Sequence, residues 1–161
     1  MNVSYRKYNS KDRKVIEEMA TQLVSYMAEF VPTRLNTPKP EYGHKYLDSV
    51  EKTIADGNGI LIIAESEGEI IGYTYGYLIK QSEEELLEMR KLSVGHVEDL
   101  IVKPDYRASG IGSELINRLT DGLKEKGCTA LELFTSPFCP AHEFYLKCGF
   151  KDIRVKMFYE L

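Results

Sequence analysis

Two glycines with a single residue between them, Gly110 and Gly112, stand where an apolar run stops and a helical repeat starts. The run is Val97-Glu98-Asp99-Leu100-Ile101-Val102, and the repeat begins Glu114-Leu115-Ile116-Asn117-Arg118-Leu119. A strand therefore feeds a turn that opens a helix. The first N–H groups of a helix have no partner inside it, and they converge with the positive end of the helix dipole behind them. That geometry binds phosphate. Neither glycine carries a Cβ, so a pyrophosphate can approach the main chain, and Arg107 can add a charge-assisted donor. The same residues without a ligand make an ordinary strand-to-helix turn, so the flanking segments must decide.

Two common phosphate loops do not fit. The GxxxxGK loop needs a lysine after its second glycine, and none follows Gly112, nor does a glycine stand at the required distance before it. The GxGxxG dinucleotide loop has another glycine register and belongs to the first strand-helix unit, whereas this one lies two thirds of the way along the chain.

Arg107-x-x-Gly110-x-Gly112 after Asp99-Leu100-x-Val102 resembles motif A of the GNAT superfamily of N-acetyltransferases. A second segment, Ala141-His142-Glu143-Phe144-Tyr145-Leu146-Lys147-Cys148-Gly149-Phe150, resembles the A-x-x-F-Y-x-K-x-G-F stretch of the same family. The resemblance is strongest over residues 95 to 152. It implies acetyl-CoA as cosubstrate, with its pyrophosphate on Arg107, Ala108, Ser109, Gly110, Ile111, Gly112 and Ser113. It also implies that the backbone of Leu100, Ile101 and Val102 lines the pantetheine arm, where an N–H can polarise the thioester carbonyl. Tyr145 matches the family's general acid, and a phenol of pKa about 10 stays protonated at neutral pH.

Glu98-Asp99 resembles the Glu-Asp pair of diamine and polyamine acetyltransferases. Glu98 is the candidate base, acting directly or through water on an ammonium of pKa about 10.4. Strand alternation sends the two carboxylates to opposite faces unless a bulge intervenes, so the choice between Glu98 and Asp99 stays open. Glu98, Asp99, Tyr26 and Phe30 are the expected substrate contacts, and residues 25 to 45, with Arg34 and Tyr42, are the expected specificity region. One departure from the family stands at Cys139, where many relatives carry an asparagine whose amide contacts the cofactor arm.

Length and composition bound the rest. A chain of 161 residues, 43% hydrophobic, suits one domain over residues 1–161. Its net charge of -4 argues against nucleic acid and suits a cationic partner. No apolar run reaches the roughly 20 residues that a membrane span needs, and the start lacks a signal-peptide layout, so a cytoplasmic protein is expected. Cys128, Cys139 and Cys148 are odd in number and widely spaced, which predicts free thiols. His44, His96 and His142 are scattered, and no metal is expected.

Hydrophobic periodicity predicts a mixed α/β layout in the order β-α-α-β-β-β-α-β-α-β, a mostly antiparallel sheet flanked by helices as the resemblance implies. A strand at Val3–Tyr8 precedes an amphipathic helix carrying Ile16, Met19, Ala20, Leu23, Val24, Met27 and Phe30. A second helix spans Tyr42–Ile54. Ile60–Glu65 and Ile70–Ile79 form a hairpin around Ser66-Glu67-Gly68-Glu69, and an acidic stretch follows at Glu83–Glu88. A strand at Thr129–Phe134, a helix within Pro137–Lys147 and a last strand at Ile153–Tyr159 complete the order. The expected activity is acetyl-CoA-dependent acetylation of a primary amine on a small cationic molecule, with a homodimer as the expected assembly. A protein lysine or N-terminus is the alternative acceptor, and a non-catalytic acyl-CoA-binding module is the alternative function.

Overall fold

The computed structural model describes residues 2–30, 37–88, 90–157, 159 and 161, so Arg34 lies outside the described residues. One sheet runs in the order β1 (Ser4–Lys7), β2 (Gly59–Ser66), β3 (Glu69–Ile79), β4 (Val94–Val102) and β5 (Ala130–Glu132). The first four strands pair antiparallel, and β5 joins β4 in parallel. The mixed, mostly antiparallel sheet is the expected one. Glu67 and Gly68, with φ of 52° and 80°, turn β2 into β3, and two positive φ values match the right-handed strand twist of a two-residue hairpin.

Helices cover both faces, which is why β2 reads as a nearly unbroken apolar run. On one face α4 (Ile111–Glu125) packs Leu115, Leu119 and Leu123 onto Ile60, Ile62, Ile71 and Val97. On the other, α1 (Arg13–Ala28) and α2 (Tyr42–Ala55) bury Ile16, Met19, Leu47 and Val50 against Leu61, Ile63, Tyr73 and Tyr75. Arg13 of α1 ties the two helices together through Asp48, at 2.7 Å, and Glu51 of α2. Gly43 lets them approach: a Cβ there would stand 2.6 Å from the Glu17 carbonyl oxygen.

Two expectations change. The segment after α5 (Pro140–Lys147) forms no strand over residues 151–157, and Ile153, Val155 and Met157 are 80%, 89% and 90% exposed. An alternating apolar stretch becomes a strand only where its backbone pairs with a sheet edge, and among the described residues this one pairs with none. β5 is also shorter than Thr129–Phe134. Its pairing ends at His96↔Glu132, just before β4 is deformed at Glu98, and Phe134 is left exposed. The acidic stretch holds a short helix, α3 (Glu85–Glu88), capped by reciprocal bonds between Ser82 and Glu85 and facing solvent.

Candidate active site

The β3–β4 register steps from Gly76↔Val97 to Tyr75↔Asp99, which leaves Glu98 as an extra residue, a β-bulge. The bulge answers the alternation problem. Glu98 and Asp99 both turn to the α1–α2 face, where Tyr73, Tyr75 and Tyr77 alternate along β3. Tyr46 on α2 donates to Asp99 Oδ2 at 2.6 Å, and Tyr73 donates to the same oxygen at 2.8 Å. Asp99 is 8% exposed, and burial pushes its carboxyl up to about 6 against the opposing effect of the two phenols.

Glu98 is placed differently. Its side chain is 39% exposed, its Oε2 accepts from Tyr77 at 3.3 Å and lies 3.2 Å from His96 Nε2, and Oε1 has no partner among the described residues. The imidazole beside it holds its carboxyl below the ordinary range. Of the two carboxylates, Asp99 is enclosed and Glu98 is open.

Beyond His96, β4 and β5 part company, so among the described residues the edge of β4 from Val97 to Val102 has no strand beside it on the β5 side. Backbone groups of Leu100, Ile101 and Val102 on that side thus have no strand to pair with among the described residues. At the end of β4 a short 3₁₀ turn, Pro104–Tyr106, leads into the glycine loop. Ala108 and Gly110 take φ of 58° and 85°, and the ladder of α4 begins with Glu114 N–H donating to the Gly110 carbonyl at 3.0 Å. The N–H groups of Ile111, Gly112 and Ser113 precede that ladder, and so remain for an anion. Ser109 braces the loop through the Tyr106 carbonyl. Gly112 has a second use, since a Cβ there would touch Phe144 of α5 at 3.4 Å.

Arg107 bends back over the loop: its Nε donates to the Val102 carbonyl at 3.0 Å, and its guanidinium stands 5.6 Å from the Tyr26 ring centre. Tyr26 packs edge-on against Phe30 at 5.0 Å, and the Phe30 carbonyl accepts from Ser136. Tyr26 and Phe30 are therefore neighbours of the phosphate loop and of the chain entering α5. The described aromatic neighbours of the carboxylates are Tyr46, Tyr73 and Tyr77.

Tyr145 sits on α5, on the α4 side of the sheet, packed edge-on against Phe150 at 5.7 Å. Burial raises its phenol well above the ordinary 10, with Asp99, Cys139 and Cys148 adding to it, so the hydroxyl keeps its proton. Among the described residues it has no hydrogen-bond partner. Cys139 caps α5 and is 2% exposed, its Sγ 4.0 Å from Met27 Sδ. At the position where the family resemblance implies an amide, the chain packs a thiol against α1.

The sequence profile of the Acetyltransferase (GNAT) family matches residues 20–150. The chain belongs to this family. Among curated relatives of this GNAT chain, the probable glucosamine 6-phosphate N-acetyltransferase 2 of Oryza sativa subsp. japonica is 41% identical over 64 residues, 40% of this chain and 37% of the relative. The L-2,4-diaminobutyric acid acetyltransferase of Nocardia farcinica is 34% identical over 86 residues, 53% of this chain and 40% of the relative. The chain thus matches about two fifths of the length of these relatives. In structure, it resembles an aminoglycoside N-acetyltransferase solved with a bisubstrate analogue, at a TM-score of 0.76, 18% identity and coverage of 100% of this chain and 99% of the other. That likeness is one of fold.

Reasoning from sequence passed over the aromatic wall of the GNAT site and His96. Tyr73-x-Tyr75-x-Tyr77 carries its own signal, since residues two apart on a strand share a face. His96 and Glu98 are also two apart. Glu132, the third member of their group, comes from β5 and has no signal in the local sequence.

Proposed function

We propose that this GNAT domain transfers the acetyl group of acetyl-CoA to a primary amine of a small cationic molecule. The observation that carries the reading is the splay of β4 from β5, with free N–H groups at one end, Glu98 on one face of the sheet and Tyr145 on the other. The pyrophosphate of the cosubstrate lies on the Arg107–Ser113 loop, and the arm runs along Leu100, Ile101 and Val102. A backbone N–H of the unpaired edge polarises the thioester carbonyl.

The acceptor arrives as an ammonium and must lose a proton before attack. Glu98 takes that proton, because it is ionised at neutral pH and its Oε1 has no partner among the described residues, whereas Asp99 is enclosed by two phenols. Attack by the neutral amine gives a zwitterionic tetrahedral intermediate; its nitrogen loses its second proton to water and its collapse expels the thiolate. Tyr145 donates the proton that the thiolate needs, and water later returns a proton to the Tyr145 phenolate. Asp99 and the tyrosines around it make a negative, aromatic wall suited to a cation, and the amines named in the relatives support a primary-amine acceptor. The protein works in the cytoplasm as a homodimer, in which the exposed tail with Ile153, Val155 and Met157 packs on a second copy.

The test is release of free thiol from acetyl-CoA across a panel of diamines, polyamines, amino-acid amines, aminoglycosides and lysine peptides. Turnover on one small amine, lost in Glu98→Gln, is the expected result. Tight CoA binding with no turnover on any acceptor overturns the reading in favour of a binding module.

A further inference from the structure

His96 is 6% exposed on β4, and no step above employs it. Its ring lies between two carboxylates from different strands. Nε2 is 3.2 Å from Glu98 Oε2, and Nδ1 is 3.6 Å from Glu132 Oε1. Two features of the sheet produce this: His96 and Glu98 share a face of β4, and parallel pairing sets Glu132 directly beside His96. The rings of Tyr77 and Phe134 flank the imidazole, with centroids at 5.5 and 5.3 Å. Nδ1 is fully buried and has no hydrogen-bond partner among the described residues. Buried polar atoms are almost always paired, so an unpaired one facing a carboxylate just beyond bonding distance calls for a role.

Given the reading of Glu98 as base, we propose that His96 is a positioning residue that acts through that base: its Nε2 faces Glu98 Oε2 and takes over the proton that the amine surrenders. With His96 neutral and protonated on Nδ1, the Nε2 lone pair faces Glu98. The acceptor R–NH3+ gives one proton to Glu98, which leaves R–NH2 and a carboxylic acid. The acid passes that proton to Nε2, which restores the carboxylate and makes an imidazolium whose Nδ1–H faces Glu132. Only N–H and O–H bonds are made and broken. Once the amide has left, the Nε2 proton returns through Glu98 to water and the original tautomer is restored. Storage matters because Glu98, 39% exposed in the free chain, loses its route to water when an amine sits on it.

Glu98 on β4, Tyr77 on β3 and Glu132 on β5 are the titratable groups that face the ring among the described residues. Burial disfavours the imidazolium, but the two carboxylates, Glu98 foremost, outweigh it and hold the imidazole above its ordinary 6.5. The ring accepts a proton only when neutral, so kcat rises with pH through a midpoint above 6.5.

The pH dependence of kcat in the parent, Glu98→Gln, His96→Gln and Glu132→Gln proteins tests this, together with an NMR titration of the imidazole nitrogens in the absence of cosubstrate. Glu132 is partly exposed, so its variant does not endanger the fold. The expected result for Glu132→Gln is a lower midpoint, moved equally in kcat and in the NMR titration. His96→Gln is expected to lose that limb and roughly 10- to 100-fold in kcat, with KM for acetyl-CoA unchanged. A Glu132→Gln profile that superposes on the parent, or a His96→Gln protein that keeps the acid limb, overturns the assignment of His96. An inactive Glu98→Gln beside unchanged His96 and Glu132 variants overturns that assignment alone. A fully active Glu98→Gln overturns the underlying base reading as well.

Discussion

Tyr46 reaches from α2 to Asp99 on β4 and donates to Oδ2 at 2.6 Å. This bond joins the helical layer to the strand that carries Glu98, and Tyr73 completes it from β3. The carboxylate it encloses is buried, and its pKa of about 6 in the folded chain exceeds the ordinary 3.8. The folded state therefore binds this proton more tightly than the unfolded state, and the contribution to stability is lost as pH rises from 3.8 through about 6. Asp99→Asn does not titrate. Its urea midpoint relative to the parent is expected to improve between roughly pH 4 and pH 7, and a pH-independent difference would count against the shift.

Tyr145→Phe removes a hydroxyl and little packing. Turnover is expected to fall by roughly 100-fold while KM for acetyl-CoA stays within about twofold, because the phenol serves the leaving thiolate and not the cofactor's binding. Steady-state thiol release on the preferred amine measures it, and full turnover would remove the acid assignment.

Gly110 holds φ at 85°, and nothing lies within 4 Å of where a Cβ would stand. Gly110→Ala therefore meets backbone strain without a clash, at a cost of roughly 1–2 kcal/mol. Chemical unfolding should show that loss, and calorimetry with CoA should show weaker binding as the free N–H groups are displaced. An alanine variant with the parent's CoA affinity would show that the loop does not need this conformation to hold a phosphate.

Gly43→Ala presents the opposite case. Its Cβ would stand 2.6 Å from the Glu17 carbonyl oxygen, so α2 must withdraw from α1. A loss of roughly 1–3 kcal/mol is expected in thermal or urea unfolding. Because Tyr46 moves with α2, the shift also disturbs its bond to Asp99, which NMR of the Tyr46 ring would report.

Val155→Lys combined with Met157→Lys tests the proposed assembly. Sedimentation of the parent should give a dimer and that of the double variant a monomer, since charge on the tail prevents it from pairing with a second copy. A parent that sediments as a monomer would refute the dimer.

The glycine loop, the hairpin at Glu67-Gly68 and the amphipathic faces of α1 and α4 were legible from residues alone. Each is a local matter: a positive φ wants glycine, and a helix against a sheet needs an apolar stripe at its own period. The last strand was misread because the alternation of Ile153, Val155 and Met157 is equally compatible with a strand whose edge lies outside the chain.

The candidate site divides along the same line. Motif order alone singled out Arg107–Ser113 and Tyr145 as candidates, and each sits within a single strand-loop-helix or helical segment. The relation of Glu98 to Asp99 was decided only in three dimensions, because the bulge opposite Tyr75 and Gly76 depends on how β3 pairs with β4. The enclosure of Asp99 by Tyr46 and Tyr73, and of His96 by Glu98 and Glu132, depends on elements distant in the chain. Sequence determined the pieces whose conformation their own residues dictate, and tertiary structure decided which carboxylate is open and which is enclosed, since burial and hydrogen bonding belong to the packed sheet.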